Sequence, residues 1–120
     1  MNEHPVITFV RSKVPGPGTP FTIIADLTAH PGRGDEVVAA MVGSGAVRLT
    51  RAEPGCLAYD VCRDMDSPDH VVVYERWQDL AALGFHLETA HFAAVGAAIG
   101  GLLAGAPGVR VFTPVAESSE

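Results

Sequence analysis

Alternation of apolar and polar residues at period two marks strands along the chain, and recurrence at three to four marks the helices between them. Phe21–Thr28 is rich in β-formers and stops at His30-Pro31-Gly32, a turn signal after which Asp35 is placed to cap a helix. Over residues 35–53, Val38, Met41, Val42, Gly45, Leu49 and Ala52 form a stripe at helical spacing that Pro54-Gly55 ends. Gly43-Ser44-Gly45 interrupts it at roughly 1 kcal/mol per glycine relative to alanine, so a kink or a close backbone approach is expected there. Cys56–Arg63 alternates Leu57, Tyr59 and Val61 against Ala58, Asp60 and Cys62; a turn over residues 64–69 follows, and residues 70–78 read as the antiparallel partner. Asp79 caps a short helix running to about residue 88. Thr89 caps another, starting near Ala90, with Phe92, Val95, Ile99 and Leu102 or Leu103 on its apolar face. Residues 109–115 supply a last strand.

The order β-α-β-β-α(α)-β predicts an α+β fold, a ferredoxin-like split β-α-β arrangement in which helices cover one face of an antiparallel sheet. Such a sheet alternates apolar and polar, but Val71-Val72-Val73-Tyr74 and Phe21-Thr22-Ile23-Ile24 are apolar on both sides. A second copy of the chain is the simplest cover for the helix-free face, so a two-fold homodimer with sheets face to face is expected. The alternative is ordinary scatter of apolar residues on an exposed sheet. Residues 21–115 make the domain. Residues 1–20 are an N-terminal extension ending in a Pro/Gly linker, with a short edge strand over residues 6–10, and residues 116–120 are a frayed tail.

Composition narrows the function classes. At 120 residues and 48% hydrophobic the chain is one domain with a real core. Eight Lys and Arg against fourteen Asp and Glu give a formal charge of −6, and the basic residues do not cluster, so nucleic acid is not an expected partner. The longest apolar stretch, residues 93–106, is broken by glycine and shorter than the roughly 20 residues a bilayer span needs. The first residues lack the basic and apolar regions of a signal peptide, so a cytoplasmic protein with no membrane partner is expected. Cys56 and Cys62, six apart on one strand, lie about 20 Å apart and cannot pair within the chain.

Few side chains are candidates for chemistry: Tyr59, Tyr74, Glu75, Arg76, Trp77, His86 and His91, with Asp26 and His70 behind them. His86 and His91 are five apart, which on a continuous helix separates them by about 140°, not the i,i+4 spacing of a zinc pair. No metal is therefore expected, unless a break at Thr89 realigns the two rings. Parity places Val71, Val73, Glu75 and Trp77 on one strand face and Val72, Tyr74 and Arg76 on the other. If Glu75 faces the helices, it lies against the indole in apolar surroundings that raise its pKa and suit it to proton transfer. The alternative is an ion pair with Arg63 or Arg110 across the sheet. Both histidines also read as core residues, Tyr59 as a packing aromatic, and Trp77 as either a core anchor or a pocket wall. Gly100-Gly101 and Gly105 match no dinucleotide fingerprint, so no nucleotide cofactor is expected.

Glu53-Pro54-Gly55-Cys56, then Tyr59, then Val73-Tyr74-Glu75-Arg76-Trp77, then His86 and Thr89-Ala90-His91-Phe92 resembles the antibiotic biosynthesis monooxygenase (ABM) domain family, from about Phe21 to Val115. The resemblance implies a dimeric ferredoxin-like α+β barrel. It also implies a small oxygenase that oxidises a quinol, anthrone or related polyketide phenol with O2 as co-substrate and no metal, flavin or haem. In those terms His86 or His91 is the base or proton relay, Glu75 its orienter or alternate base, Tyr59 a donor to the enolate, and Trp77, Phe92 and Tyr74 the aromatic lining. Haem-degrading relatives use an Asn with Trp and His, whereas the one Asn here is Asn2. Two alternatives stay open. An isomerase of a small phosphorylated carbonyl compound needs an open pocket with convergent arginine, and a small-molecule-binding or stress-associated dimer without turnover needs only histidines saturated by backbone partners.

Overall fold

Four strands, β1 (Phe21–Thr28), β2 (Cys56–Arg63), β3 (His70–Trp77) and β4 (Gly108–Phe112), form one antiparallel sheet in the order β2-β3-β1-β4. Among the described residues five α-helices, α1 (Pro5–Arg11), α2 (Gly34–Gly43), α3 (Ala46–Arg51), α4 (Leu80–Leu87) and α5 (Ala90–Ile99), and a 3₁₀ turn (Gly100–Leu102) accompany them, and the helical layer lies on one face. This is the α+β ferredoxin-like fold expected. The computed structural model describes residues 3–115, so the tail expected over residues 116–120 lies outside the described residues.

Alternation sets the inner face. Directly opposed pairs Phe21 and Trp77, Ile23 and Glu75, and Leu27 and Val71 point toward the helices, and β3 alternates half-buried and buried residues along its whole length. On β2 the pairing slips between Cys56 and Ala58, so Leu57 is exposed while Tyr59 and Val61 face inward opposite Glu75 and Val73. That bulge corrects the strict alternation expected from Leu57 onward. Two apolar clusters follow: one joins α2, α3 and α5 to the sheet through Val37, Met41, Ala46, Tyr59, Val73, Val95 and Ile99. The other gathers Ile7, Val10, Phe21, Trp77, Leu80 and Leu83 under α1 and α4.

Residues 6–10 are helical, not an edge strand. Pro5 sits at the start of α1, where its missing N–H goes unused, the His4 imidazole accepts from the Val6 amide, and Ile7 and Val10 are buried. The helix expected over residues 35–53 is two helices, because Gly45 takes a left-handed φ of 84° between them. That break shifts the buried stripe to Val37, Met41, Ala46 and Thr50, and leaves Val42 exposed. Asp35 does not cap α2. The Asp69 carboxylate does so from the β2–β3 turn, accepting from the Gly32 and Gly34 amides at 2.9 and 3.0 Å, while Asp35 pairs with Arg63. Asp79 and Thr89 cap α4 and α5 as expected, through the Ala82 and Phe92 amides. The last strand is shorter than 109–115, ending at Phe112.

On the opposite face Ile24, Val72 and Tyr74 are half-buried in the single chain, so two-sided burial is only partial there. His70 ties that face together, its ring nitrogens 2.9 Å from Asp26 and from Asp64, with Arg110 also on Asp26.

Candidate active site

Glu53 lies between α3 and β2, just past a helix carboxyl end, where the helix dipole does not favour a negative charge. It is nonetheless buried, its side chain 4% exposed. Two imidazoles hold it: His86 Nδ1 lies 2.8 Å and His91 Nε2 2.6 Å from the same oxygen, Oε2. The other oxygen, Oε1, is buried and has no hydrogen-bond partner among the described residues. A carboxylate oxygen accepts, so a ring nitrogen that bonds to it is one that carries a proton.

The five-residue spacing does not keep the histidines apart. Helix α4 ends at Leu87 and α5 restarts at Ala90, and the Thr89 hydroxyl donates to the His86 carbonyl while accepting from the Phe92 amide. This turn breaks the rotation on which the 140° separation depends, and the ring centroids lie 6.0 Å apart. Gly55 brings α4 close enough to complete the cluster: a Cβ there would overlap the Ala82 side chain. The Glu53-Pro54-Gly55 run thus supplies the carboxylate, the helix stop and the close approach.

His86 also lines an apolar pocket of about 350 Å³ between sheet and helices, with Ile23, Met41, Tyr59, Glu75 and Phe92 among its walls. Burial lowers the His86 pKa, with Glu53 opposing, which favours the neutral ring; with Nδ1 donating to Glu53, the lone pair of that ring is on Nε2. Glu75 accepts a hydrogen bond from the Trp77 indole N–H at 3.0 Å. Burial pushes its pKa up to about 7, against that bond and reinforced by the Glu53 charge. Burial likewise pushes the Tyr59 hydroxyl well above its ordinary value. Glu75 makes no ion pair with Arg63 or Arg110, which bind Asp35 and Asp26.

The structure therefore brings Tyr59, Glu75, His86 and Phe92 to one pocket, with His91 behind through Glu53. Trp77 is fully buried, its ring 4.8 Å from His86, and supports the site from behind without lining the pocket. Tyr74 points to the opposite sheet face, because it alternates with Glu75 on β3, and does not reach the pocket. Glu53 is the site residue that the sequence reading did not single out, although an acidic residue immediately before a Pro-Gly helix stop was its visible signal. Among the described residues, Glu53, His86 and His91 form a group whose ligand atoms all lie within 4.8 Å of one another.

The family model for the antibiotic biosynthesis monooxygenase matches residues 20–98. The chain belongs to that family. Among solved structures, Rv0793 from Mycobacterium tuberculosis is 30% identical with a TM-score of 0.73, over 84% of this chain and 100% of that one. PA3566 from Pseudomonas aeruginosa is 32% identical with a TM-score of 0.74, over 84% and 99%. A structure described as an antibiotic biosynthesis monooxygenase is 33% identical with a TM-score of 0.71, over 80% and 99%. Two curated relatives match over shorter stretches: sll1783 of Synechocystis at 27% over 79 residues and YcnE of Bacillus subtilis at 44% over 46. They cover 66% and 38% of this ABM chain, which spans about half the length of each, 52% and 48%. No helix among the described residues is long and apolar enough to cross a membrane.

Proposed function

We propose that this ABM protein is a cofactor-independent monooxygenase that oxidises a quinol, anthrone or related polyphenolic substrate with O2. The observation that carries the reading is a carboxylate–imidazole pair, Glu53 and His86, whose imidazole opens onto an apolar pocket. His86 Nε2 takes the proton of the bound phenol or anthrone, and Glu53 stabilises the imidazolium that forms. His91 holds Glu53 in position. The neutral acid of Glu75 and the Tyr59 hydroxyl are donors for the enolate oxygen, where charge develops. The enolate then gives an electron to O2, the radical pair combines into a peroxide, and loss of water leaves the anthraquinone from an anthrone or a hydroxyquinone from a quinol. For an anthrone one O2 is consumed, one oxygen atom entering the product and one leaving as water.

Two features favour this over the alternatives. Among the described residues no arginine or lysine lines the pocket, as a phosphorylated isomerase substrate would require. The histidines are held by a carboxylate rather than by backbone partners. The working unit in this reading is a homodimer joined through the half-buried outer face around Ile24, Val72 and Tyr74. Its setting is cytoplasmic, in keeping with two free cysteines.

Oxygen uptake by the metal-stripped protein with chelator present, on a reduced naphthoquinol and on an anthrone, tests the reading. Uptake is expected to exceed autoxidation and to fall by about 10²–10⁴-fold in His86→Ala. Uptake equal to autoxidation by the folded wild-type protein would remove the oxygenase assignment.

A further inference from the structure

The Glu53 carboxylate is bonded unevenly. Both imidazoles converge on Oε2, while Oε1 is buried and has no partner among the described residues. A buried polar atom left unpaired costs about 1–3 kcal/mol, so hydrogen bonding alone leaves the cluster unfinished. Two imidazoles and one carboxylate are also the nitrogen and oxygen donors that divalent first-row ions take. The three ligand atoms lie within 4.8 Å of one another, and reaching the roughly 3.3 Å edges of a tetrahedral zinc site opens the two histidine–carboxylate contacts, now 2.8 and 2.6 Å, by about 0.5 and 0.7 Å while the two ring nitrogens draw together. The Trp77 and Phe92 rings, 4.8 and 5.2 Å from His86, fix its orientation. The His91 side chain is 15% exposed against 4% for the other two, so an ion reaches the cluster from that side.

We infer that Glu53, His86 and His91 bind one divalent ion of the zinc class per chain, and that this ion competes with the proton relay. The inference uses the triad of the proposed function but does not depend on turnover. Coordination occupies the lone pair of His86 Nδ1 and of His91 Nε2, and each neutral ring moves its proton to its other nitrogen. His86 then carries its proton on Nε2, the atom that otherwise accepts the proton of the substrate. The bound ion thus silences the base without entering the pocket.

Zn²⁺ titrated into the metal-stripped protein against a chromophoric chelator, in a Cys62→Ser background that removes the exposed thiol, should show one ion per chain. Glu53→Gln and His91→Gln should each weaken it by more than about 100-fold, beyond the usual loss of an outer-shell partner. Imidazole ¹⁵N spectra of the protein with its triad intact give a readout independent of those variants. Zn²⁺ should move Nδ1 of His86 and Nε2 of His91 while leaving His30 and His70 unchanged. No binding, binding unaltered in both variants, or shifts confined to other histidines would overturn the site. Oxygen uptake that survives saturating Zn²⁺ would overturn the competition. Specific Zn²⁺ binding by a protein that never consumes oxygen would strike the oxygenase reading and leave the metal site standing.

Discussion

Glu75 shows how one strand position sets the protonation chemistry of the pocket. Its carboxyl faces inward beside Trp77, and its pKa rises from 4.5 to about 7 because burial disfavours the charged form. The folded state therefore holds this proton more tightly than the unfolded chain, so stability contributed at this position declines as pH rises from 4.5 through 7 and is flat above. Glu75→Gln should match wild type near pH 4.5 and exceed it above pH 7 by up to a few kcal/mol. Urea denaturation at the two pH values checks this, and an equal offset at both would contradict it. The strand parity of Glu75 and Trp77 was legible in sequence, because side-chain direction in a strand is local. The burial of Glu53 was not legible: it follows from α4 and α5 converging on a residue more than thirty positions earlier.

At the scale of elements, legibility follows the same division. Asp79 and Thr89 cap α4 and α5 as read, since a cap involves only the next few residues. Val6 to Val10 misled because a five-residue apolar run fits either a short strand or a helical turn, and its packing against the α4 region decides. The buried face of α2 and α3 was displaced because the left-handed Gly45 resets the rotation that the stripe assumes. Gly55 acts between elements, where β2 meets α4. Gly55→Ala forces its new methyl against Ala82 and should destabilise the fold by about 1–3 kcal/mol, with His86 displaced from Glu53. Adding Ala82→Gly should recover part of the lost stability. Thermal denaturation of the single and double variants separates this clash from a general intolerance of change at the motif, which the second substitution would not relieve.

For the whole molecule, the sheet divides two tasks. Its inner face carries the pocket and the carboxylate–imidazole cluster, and its outer face presents Ile24, Val72 and Tyr74 between charged neighbours. The homodimer proposed for that face predicts that Tyr74→Glu shifts sedimentation velocity from dimer to monomer without unfolding the chain. A wild type that sediments as a monomer would contradict it. In the proposed reaction Glu53 and His86 together make the base that deprotonates the substrate in an apolar pocket. Oxygen consumed and quinone formed from an anthrone, with chelator present, should stand at one to one in the wild type. In Glu53→Gln, which keeps the shape but loses the charge that stabilises the imidazolium, both should fall together by about 10²–10⁴-fold. Unchanged turnover in a folded Glu53→Gln protein would show that the pair is not the base.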